Sequence, residues 1–530
     1  MEVLRPDATG IYVAAHQAVG AIEEAIEAEV PLIVAVAEHI PLHDFFRIYS
    51  MLQTQSTCRL LGANSPGIIS AVGKCRIGFH PIPCFQPGRI GIVARSGTLS
   101  YETAASTLRA GLGQSMCIGI GGDMIPGTTL KEGLQILVED DDTEGIAFIG
   151  EVGGYGELEA AEFIKSYRAQ NKNPKPIAAL VAGMQTVPGQ PMGHAGAVSL
   201  LGEPSTATKL EALRAAGVAI VGHPSRFGPV LKSMIDATNV AASGSGISQR
   251  RGIHTVAHRP TSSQRALPRK TWCQRRSFYL SETALRLLRK RGLPIADSTT
   301  RQSSLPLEEE EETFLDLPQP QGPDIVDTSR PRRLVVTFNR SAKNPCIIAF
   351  HPDNNSEFEK FDFDYGAAAE DIPIEDIAFF QGLPLSSIPS LGKIVTGLVR
   401  LFKEKEAFQL SVEIRCKDSK DGLTMVITDA QLGFDDAAFR SGGRHADLQK
   451  LRTKLLEHTV ESDGITYMKL APPGNIGTLV NGAGLAMNTV DALAAAGGHA
   501  ANFLDTGGKA TSETVKRSFE LILEDQDVKV

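Results

Sequence analysis

The sequence is poor in the features that mark disulfide-rich and membrane-spanning proteins. Among its 530 residues there is one tryptophan, and the seven cysteines form no C-x-x-C pair. An odd number of scattered cysteines suits a reducing compartment better than a disulfide framework. Apolar runs such as residues 32–37 stop far short of the ~18 to 20 residues that a bilayer span requires. We therefore expect a soluble protein with no membrane partner.

The chain also lacks an excess of basic residues. Its 53 Lys and Arg against 61 Asp and Glu give a net charge of −8, whereas a nucleic-acid-binding domain is normally basic. DNA and RNA are therefore not expected partners. At roughly 100 to 200 residues per domain, the length predicts about three or four globular domains. The 51 glycines indicate many strand-to-helix turns of the α/β kind.

From residue 8 to about 240, short β-branched runs alternate with amphipathic stretches. This alternation predicts a parallel sheet with crossover helices, and hence the α/β class. The predicted strands are residues 11–13, 32–36, 90–94, 117–120, 147–150 and 178–181. Near the end of the chain the pattern returns as a strand at 476–480, a glycine loop at 481–484, a helix at 485–496, a strand at 501–504 and a helix at 513–523.

The middle of the chain has a different composition. Between Asp236 and Glu282 there is no acidic residue, and arginines stand among Ser, Thr, Pro and Gln, which predicts a basic linker at 241–280. Its composition is that of a mitochondrial transit peptide. The five glutamates at 308–312 predict a solvated loop. Residues 1–20 carry Arg5 as their only Lys or Arg, so no presequence is visible there.

Two residues are candidates for chemistry. His194 lies in the run Met192-Gly-His-Ala-Gly-Ala197, where small neighbours leave the imidazole uncovered. A neutral imidazole nitrogen can attack phosphorus without first losing a proton, and a histidine in a flexible loop is the alternative interpretation. Glu151 leaves the end of a predicted strand between glycines. It could orient an imidazole or only cap a helix.

Two glycine-containing turns precede predicted helices. The residues of the first are Ser96, Gly97 and Thr98, and those of the second are Asn481, Gly482, Ala483 and Gly484. The unpaired N–H groups at a helix N-terminus can hold a phosphate. Such turns also serve as simple connectors, so each alone is weak support.

Longer runs resemble the succinyl-CoA synthetase (succinate–CoA ligase) family. Residues 8–236 resemble its α subunit, and residues 278–300 and 400–530 resemble its β subunit. The α-like runs are Leu61-Gly-Ala-Asn-Ser-Pro-Gly67, Arg95-Ser-Gly-Thr-Leu-Ser-Tyr-Glu102, Gly119-Ile-Gly-Gly-Asp-Met-Ile-Pro-Gly127, Gly150-Glu-Val-Gly-Gly154 and Gly193-His-Ala-Gly-Ala197. The β-like runs are Gly474-Asn-Ile-Gly-Thr-Leu-Val-Asn-Gly-Ala-Gly-Leu-Ala486 and Ala501-Asn-Phe-Leu-Asp-Thr-Gly-Gly508.

The resemblance implies a reaction and a set of roles. Succinyl-CoA and phosphate would give succinyl phosphate and CoA, the phosphoryl group would move to His194, and a nucleoside diphosphate would accept it. Glu151 would hydrogen-bond the imidazole, and the two helix N-termini would bind the phosphoryl group from opposite sides. The implied substrate and CoA-binding residues are Val13, Ala37, Glu38, Asn64, Ser65 and Pro66. The implied cofactors are CoA, ATP or GTP, and Mg²⁺, and intact α or β subunits are implied partners.

The sequence departs from the family at its two substrate sites. Family α subunits begin with a glycine-rich turn that cradles the CoA phosphates, and this sequence starts after the corresponding point, which implies a partial CoA site. The family β pattern Glu-x-Asn-Pro reads Glu413-Ile-Arg-Cys416 here, followed by Asp429. Arg415 replaces the asparagine, and a guanidinium offers no lone pair to Mg²⁺. Asp429 is the remaining candidate metal ligand, and we expect impaired Mg²⁺ and nucleotide binding.

The resemblance implies four folded parts and a linker. These are a truncated Rossmann-like CoA-binding domain (1–85), a flavodoxin-like ligase domain with the phosphohistidine (86–240), the basic linker (241–280), a degenerate ATP-grasp-like region (281–470) and a truncated second flavodoxin-like domain (471–530). The implied function is that of an NDP-forming succinate–CoA ligase of the tricarboxylic acid cycle, located in mitochondria. The alternatives are an inactive relative that binds intact subunits, and a citrate-cleaving or other acyl-CoA synthetase.

Overall fold

The protein is described by a computed structural model. The described residues are 5–186, 192–242, 277–280, 283–296, 330–354, 357–368, 371–419, 422–440, 443–451, 459–462, 465–470, 474–507 and 510–530. They fall into two compact units, the first formed by Met1–Arg276 with Lys454–Val530 and the second by Ser277–Thr453. Each unit mixes helices and strands, so the predicted α/β class is confirmed. Most of the predicted basic linker, and the five glutamates at 308–312, lie outside the described residues.

The strands and helices are numbered in chain order over the described residues. The strands are β1 Ala8–Ile11, β2 Leu32–Ala35, β3 Arg59–Leu61, β4 Gly67–Ser70, β5 Cys75–Gly78, β6 Pro87–Ala94, β7 Gln114–Gly119, β8 Gly145–Glu151, β9 Ile177–Ala182, β10 Ala219–Ile220, β11 Ser277–Leu280, β12 Arg332–Asn339, β13 Asn344–Phe350, β14 Phe358–Asp362, β15 Ala407–Ser419, β16 Gly422–Asp435, β17 Thr459–Ser462, β18 Ile465–Lys469 and β19 Asn502–Asp505. The helices are α1 Ala15–Glu27, α2 Leu42–Gln53, α3 Gly97–Arg109, α4 Leu130–Glu139, α5 Gly156–Gln170, α6 Thr206–Ala215, α7 Phe227–Ala242, α8 Ala284–Lys290, α9 Ile374–Phe380, α10 Ile388–Glu404, α11 Asp436–Arg440, α12 Ala446–Gln449, α13 Ala483–Ala495 and α14 Ser512–Glu524. Within the described chain, no helix is both long and apolar enough to cross a bilayer.

The first unit is built on two sheets with parallel strands. One sheet has the order β1-β2-β3, and the other has the order β10-β9-β8-β6-β7-β4-β5. All pairs are parallel except those that involve β4, which runs antiparallel to β5 and β7. Because the carboxyl ends of parallel strands share one edge of a sheet, the loops after β6, β7 and β8 lie along one edge. The predicted parallel arrangement is confirmed.

The large sheet is covered on both faces. Ala147 and Ile149 of β8 belong to the same core cluster as Phe227 and Leu231 of α7, on one face. Phe148, which alternates with them, belongs to the cluster that holds residues of α4, α5 and α6 on the other face. Burial on both faces explains why β8 and β9 read as continuous apolar runs in the sequence.

The structure differs from the prediction at two strands, in the bounds of the first and in the extent of the one predicted at 476–480. The first ends at Ile11, three residues after it begins at Ala8, so Tyr12 and Val13 lie in the loop before α1. The strand predicted at 476–480 is reduced to single bridges at Ile476 and Val480. The reason is the side chain of Asn502, which accepts a hydrogen bond from the Thr478 N–H at 2.9 Å and donates one to the Thr478 carbonyl at 2.9 Å. A side chain thereby replaces part of a backbone ladder.

The C-terminal segment of the first unit has a small antiparallel sheet of order β17-β18-β19. Helix α13 lies against α3, and Ala486, Met487 and Val490 of α13 belong to the core cluster of the large sheet. This sheet pairs β18 with β19, and therefore joins residues on both sides of the boundary predicted at 470.

The second unit contains a six-stranded sheet of order β11-β16-β15-β12-β13-β14. Its strand pairs are all antiparallel over the described residues. Helix α10 has a buried stripe that includes Leu391, Leu398 and Phe402, at the spacing of one helix face.

Candidate functional site

His194 stands in a tight turn that is held against the loop following β7. Within the turn, the Met192 N–H donates to the Ala197 carbonyl at 2.9 Å, and the Gly196 N–H donates to the Gly122 carbonyl at 2.9 Å. The imidazole of His194 packs directly against Gly122. A Cβ atom at position 122 would lie only 2.6 Å from Cγ of His194. Glycine at position 122 is therefore required for this placement of the ring.

Glu151 is the last residue of β8 and is fully buried. Its Oε2 accepts a hydrogen bond from Nδ1 of His194 at 3.1 Å, and its Oε1 lies 3.5 Å from Nε of Arg95. An ionised carboxylate can only accept, so the hydrogen in the contact with His194 is assigned to Nδ1. In the neutral ring, the lone pair is then on Nε2.

The charges around this pair shift both pKa values. Burial alone would lower the pKa of His194, but the carboxylates of Glu151, Glu38 and Asp505 outweigh burial and raise it above its ordinary value. Burial would raise the pKa of Glu151, and the positive charges of His194, Arg95 and Lys209 outweigh burial and lower it. The site therefore favours an ionised Glu151 beside a ring that readily carries positive charge.

The two glycine-containing turns predicted to bind phosphate lie next to each other. Ser96 is the N-cap of α3, and its Oγ accepts the Leu99 N–H at 3.4 Å. Gly482 and Gly484, at the start of α13, lie so close to Thr98 and Ser96 that a Cβ on either glycine would overlap those side chains. The remaining predicted residues of the two turns are Gly97, Asn481 and Ala483, and Ala483 contacts the His194 turn at Gly193. The structure thus places both helix N-termini beside the histidine loop.

The close approach at Gly484 predicts opposite effects for two helical glycines. Gly484→Ala places a methyl group into Ser96 Oγ, so we expect it to destabilise the protein by about 1–3 kcal/mol through overpacking. Gly20→Ala, in α1 with nothing within 4 Å of the new Cβ, should stabilise by about 0.5–1 kcal/mol because it lowers the entropy of the unfolded chain. Denaturant unfolding of the two variants measures both changes. Equal shifts would contradict the packing of α13 on α3.

Asp505, which is not among the residues predicted from the sequence, also belongs to this site. Its Oδ1 accepts the N–H groups of Gly482 and Gly507, each at 2.8 Å, so it holds the start of α13. Its Oδ2 lies 3.3 Å from the position of a Cβ on Gly193, beside His194. A signal was present, because Asp505 ends a strand before glycines in the same way as Glu151 does.

Asp491 of α13 anchors the chain upstream of the histidine turn. Its carboxylate accepts the N–H groups of Gly183 at 2.7 Å and Gln185 at 2.9 Å. Asp491→Ala would leave two backbone donors without their acceptor, whereas Asp491→Asn keeps an acceptor oxygen. We expect amide hydrogen exchange at 183–185 to rise about tenfold or more in Asp491→Ala, and less in Asp491→Asn. Unchanged exchange in the alanine variant would show that the contact does not restrain the segment.

Of the predicted CoA-binding residues, some are exposed and some are buried. Val13, Glu38 and Asn64 follow β1, β2 and β3, at the carboxyl edge of the small parallel sheet, and Nδ2 of Asn64 donates to Oε1 of Glu38 at 3.5 Å. Ala37, Ser65 and Pro66 are buried. The Ser65 hydroxyl donates to the Gly119 carbonyl at 2.6 Å, so it serves the fold directly.

The candidate metal ligand Asp429 lies on β16 in the second unit. It pairs with Glu413 of β15, and both residues are exposed, as is Arg415 two positions along the same strand. Alternation along the strand puts Glu413 and Arg415 on one face. Within the part of the chain that the structure describes, no group of three or more His, Cys, Asp and Glu side chains is arranged to hold a metal ion.

Residues 93–219 and 479–530 match the family described as CoA-ligase. The chain is 42% identical over 228 residues to the α-2 subunit of a mitochondrial ADP-forming succinate–CoA ligase of Trichomonas vaginalis, covering 43% of this chain and 73% of that one. It is 39% identical over 226 residues to the α subunit of ADP-forming succinate–CoA ligase of Aquifex aeolicus, covering 42% and 72%. Relatives from Staphylococcus aureus are similar at 39% identity over 221 residues.

Solved structures resemble the chain at lower sequence identity. ATP citrate lyase of Methanosaeta concilii, in complex with (3S)-citryl-CoA, aligns with a TM-score of 0.39 and 21% identity, over 46% of this chain and 40% of that chain. A dinucleotide-forming acetyl-coenzyme A synthetase of Ca. Korarchaeum cryptofilum aligns with a TM-score of 0.33 and 18% identity, over 41% and 45%.

Proposed function

This chain belongs to the succinate–CoA ligase family through its α-subunit-like region, and we propose that it transfers phosphoryl groups through His194 in an NDP-forming succinate–CoA ligase reaction. The observation that supports this most directly is the 3.1 Å hydrogen bond between Nδ1 of His194 and the buried carboxylate of Glu151. It leaves Nε2 as the nucleophile and gives a positively charged ring a fixed counterion.

The proposed reaction has three steps. Phosphate attacks the thioester carbon of succinyl-CoA, the C–S bond breaks, and CoA leaves as the thiol. Nε2 of His194 then attacks the phosphorus of succinyl phosphate, the bond from phosphorus to the acyl oxygen breaks, and succinate leaves as a carboxylate. The phosphorylated ring keeps its Nδ1–H, and Glu151 neutralises its charge. Finally an oxygen of the terminal phosphate of a nucleoside diphosphate attacks the phosphorus, the Nε2–P bond breaks, and His194 leaves as the neutral imidazole.

The neighbouring helix N-termini support this role. The starts of α3 and α13 lie beside the His194 turn, and each helix N-terminus stabilises a nearby anion by about 0.3–1 kcal/mol when exposed and up to ~2 kcal/mol when partly buried. In the proposal, Ser96, Gly97 and Thr98 on one side and Asn481, Ala483 and Gly484 on the other donate to the phosphoryl oxygens. Gly482, whose N–H is bound by Asp505, shapes the turn that presents the second set.

The proposal extends to the other ligands. CoA would bind at the carboxyl edge of β1, β2 and β3, where Val13 and Glu38 are exposed and Asn64 is half-buried. The second unit would be a β-like region with a degenerate ATP-grasp fold, with Asp429 as its remaining candidate ligand for Mg²⁺ beside a bound nucleotide. A mitochondrial location also belongs to the proposal, in line with the name of the Trichomonas relative.

Isotope labelling tests the proposed function. The full chain is incubated with [³²P]phosphate and succinyl-CoA, and separately with [γ-³²P]ATP or GTP and Mg²⁺. We expect label that is lost in acid and retained in alkali, as a phosphoramidate bond requires, and a peptide containing residue 194 should carry it. If no label appears under any of these conditions, the proposal is wrong.

One observation favours a second candidate, a relative that binds partner subunits and does not use nucleotide. Arg415 is exposed on the strand that pairs with Asp429, where its positive charge opposes a metal ion. Thermal unfolding with ATP and Mg²⁺ separates the two candidates, because a ligand at 100 times its Kd stabilises the folded state by about 2.7 kcal/mol. An unchanged midpoint would favour the second candidate.

A further inference from the structure

Behind Glu151 lies a buried ion pair that the proposed reaction does not use. Lys209 of α6 and Glu157 of α5 are both 0% exposed, and Nζ of Lys209 lies 2.6 Å from Oε2 of Glu157. Burying two charges is costly, and well-packed apolar side chains would give equal or greater stability at such a position. The pair therefore calls for a reason other than stability.

The contacts of the pair converge on one peptide segment. Nζ of Lys209 donates to the carbonyl of Glu151 at 2.9 Å and to the carbonyl of Gly153 at 2.7 Å. Oε1 of Glu157 accepts the Glu151 N–H at 3.0 Å. Both backbone polar groups of Glu151 are thus bound by this one ion pair. Gly150 lets Glu157 approach, since a Cβ there would lie 2.5 Å from Oε1.

Glu151 needs such support because it stands at the end of its strand. The strand β8 ends at this residue, and the backbone then turns through Gly153 and Gly154, which both have positive φ. A carboxylate that must meet the imidazole at hydrogen-bond distance depends on where this terminal backbone lies. A displacement of about 1 Å can reduce a rate by about 10²-fold.

We propose that Lys209 and Glu157 form a positioning pair, which fixes the backbone of Glu151 so that its carboxylate is directed at Nδ1 of His194. The pair is electrically neutral and acts through Glu151, without touching the phosphoryl group. This proposal rests on the proposed function for its consequence in the reaction, but its geometric claim can be measured in the unphosphorylated protein.

The charged groups that bear on the measurement are few. His194 is influenced by Glu151, Glu38 and Asp505, and Glu151 by His194, Arg95 and Lys209. Removing Lys209 and Glu157 together removes one positive and one negative charge, so the net charge behind Glu151 stays the same. The loss of Lys209 also removes one of the charges that lower the pKa of Glu151. A change in the titration of His194 over the pH range in which Glu151 stays ionised therefore reports a displaced Glu151.

The test compares two double variants of the full chain. Lys209→Met with Glu157→Leu removes the buried pair and leaves no unpaired buried charge, which lets the protein fold. Lys165→Met with Glu162→Gln removes an exposed pair of α5 and serves as the matched control. Circular dichroism and thermal unfolding establish that both variants are folded. The titration of His194 is followed by the NMR shift of its imidazole C2–H, assigned by its absence in His194→Asn.

We expect the pKa of His194 to fall toward its ordinary value of about 6.5 in the buried-pair variant, and phosphate labelling to slow by about 10²-fold. The exposed-pair variant should match the wild type in both.

A folded buried-pair variant with the wild-type titration would overturn the proposal, whatever the labelling shows. If the wild type takes no label but the titration shifts, the proposed function fails and the positioning role stands. If the buried-pair variant does not fold, Lys209→Met with Glu157→Gln is titrated in its place. It keeps an acceptor for the Glu151 N–H and leaves no unpaired buried charge, but it removes both bonds from Nζ to the carbonyls of Glu151 and Gly153, and an unchanged titration again overturns the proposal.

Discussion

His194→Asn is expected to abolish the acid-labile phosphate label, with a loss of more than about 10³-fold in its rate of formation. Asparagine can still donate to Glu151, so the fold around the site is retained, but no ring nitrogen remains to attack phosphorus. Rapid-quench labelling with succinyl-CoA and phosphate, and with nucleoside triphosphate, measures the loss in both directions. Both must be affected, because the phosphoryl group passes through His194 whichever end of the reaction supplies it.

The control for this prediction is His223→Asn. His223 is an exposed histidine in the same unit, and its Nδ1 accepts the Ser225 N–H at 3.2 Å, a contact that asparagine can also make. It should label like the wild type. Label of equal intensity in the His194 variant would place the phosphoryl group on another residue and remove the basis of the proposed mechanism.

Glu151→Gln is expected to slow phosphorylation of His194 by about 10²–10⁴-fold and to move its pH dependence. Glutamine can accept the Nδ1–H, but it provides no charge to stabilise the positive ring. The pKa of His194 is raised chiefly by this carboxylate, against the lowering effect of burial. Without the carboxylate the pKa falls, so the neutral imidazole becomes available at lower pH. The rate, measured against pH by initial incorporation of label, should reach its plateau at a lower pH in the variant.

The same pKa shift determines how stability depends on pH. A histidine whose folded pKa lies above its unfolded value, about 6.5, stabilises the fold fully below that value, and the stabilisation is lost as pH rises through the folded pKa. Because the pKa of Glu151 is lowered, its carboxylate remains ionised over that range. The stability advantage of the wild type over Glu151→Gln should therefore be largest below about pH 6.5 and shrink as the pH rises through the raised pKa of His194. Glu162→Gln, at an exposed position of α5, is the control, and a pH-independent difference would contradict the ion pair.

The local pattern of apolar residues was sufficient to predict most strands of the first unit. The apolar runs that became β6, β8 and β9 were visible because a strand covered on both faces has no polar position to interrupt it. It failed at 476–480, where the same residue types form isolated bridges because Asn502, twenty-odd residues away, binds Thr478 with its side chain. Backbone pairing depends on the partner strand, and a local window contains no information about that partner.

For the site, the sequence determined which residues could carry the chemistry. A histidine among glycines and alanines, and a glutamate at the end of a strand, are local features, because exposure of a ring and the position of a strand end depend on immediate neighbours. The resemblance in sequence by itself implies that Glu151 hydrogen-bonds the imidazole of His194.

Only the tertiary structure decided how these residues are held. Glu151 and His194 are 43 positions apart, Lys209 reaches the carbonyl of Glu151 across 58, and Asp491 binds Gly183 across 308. Charge pairs and backbone contacts of this kind depend on which side chains the packing of α5, α6 and α13 brings to one edge of the sheet. The direction of each pKa depends in turn on that burial and on those charges, so the electrostatic state of the site is a property of the fold.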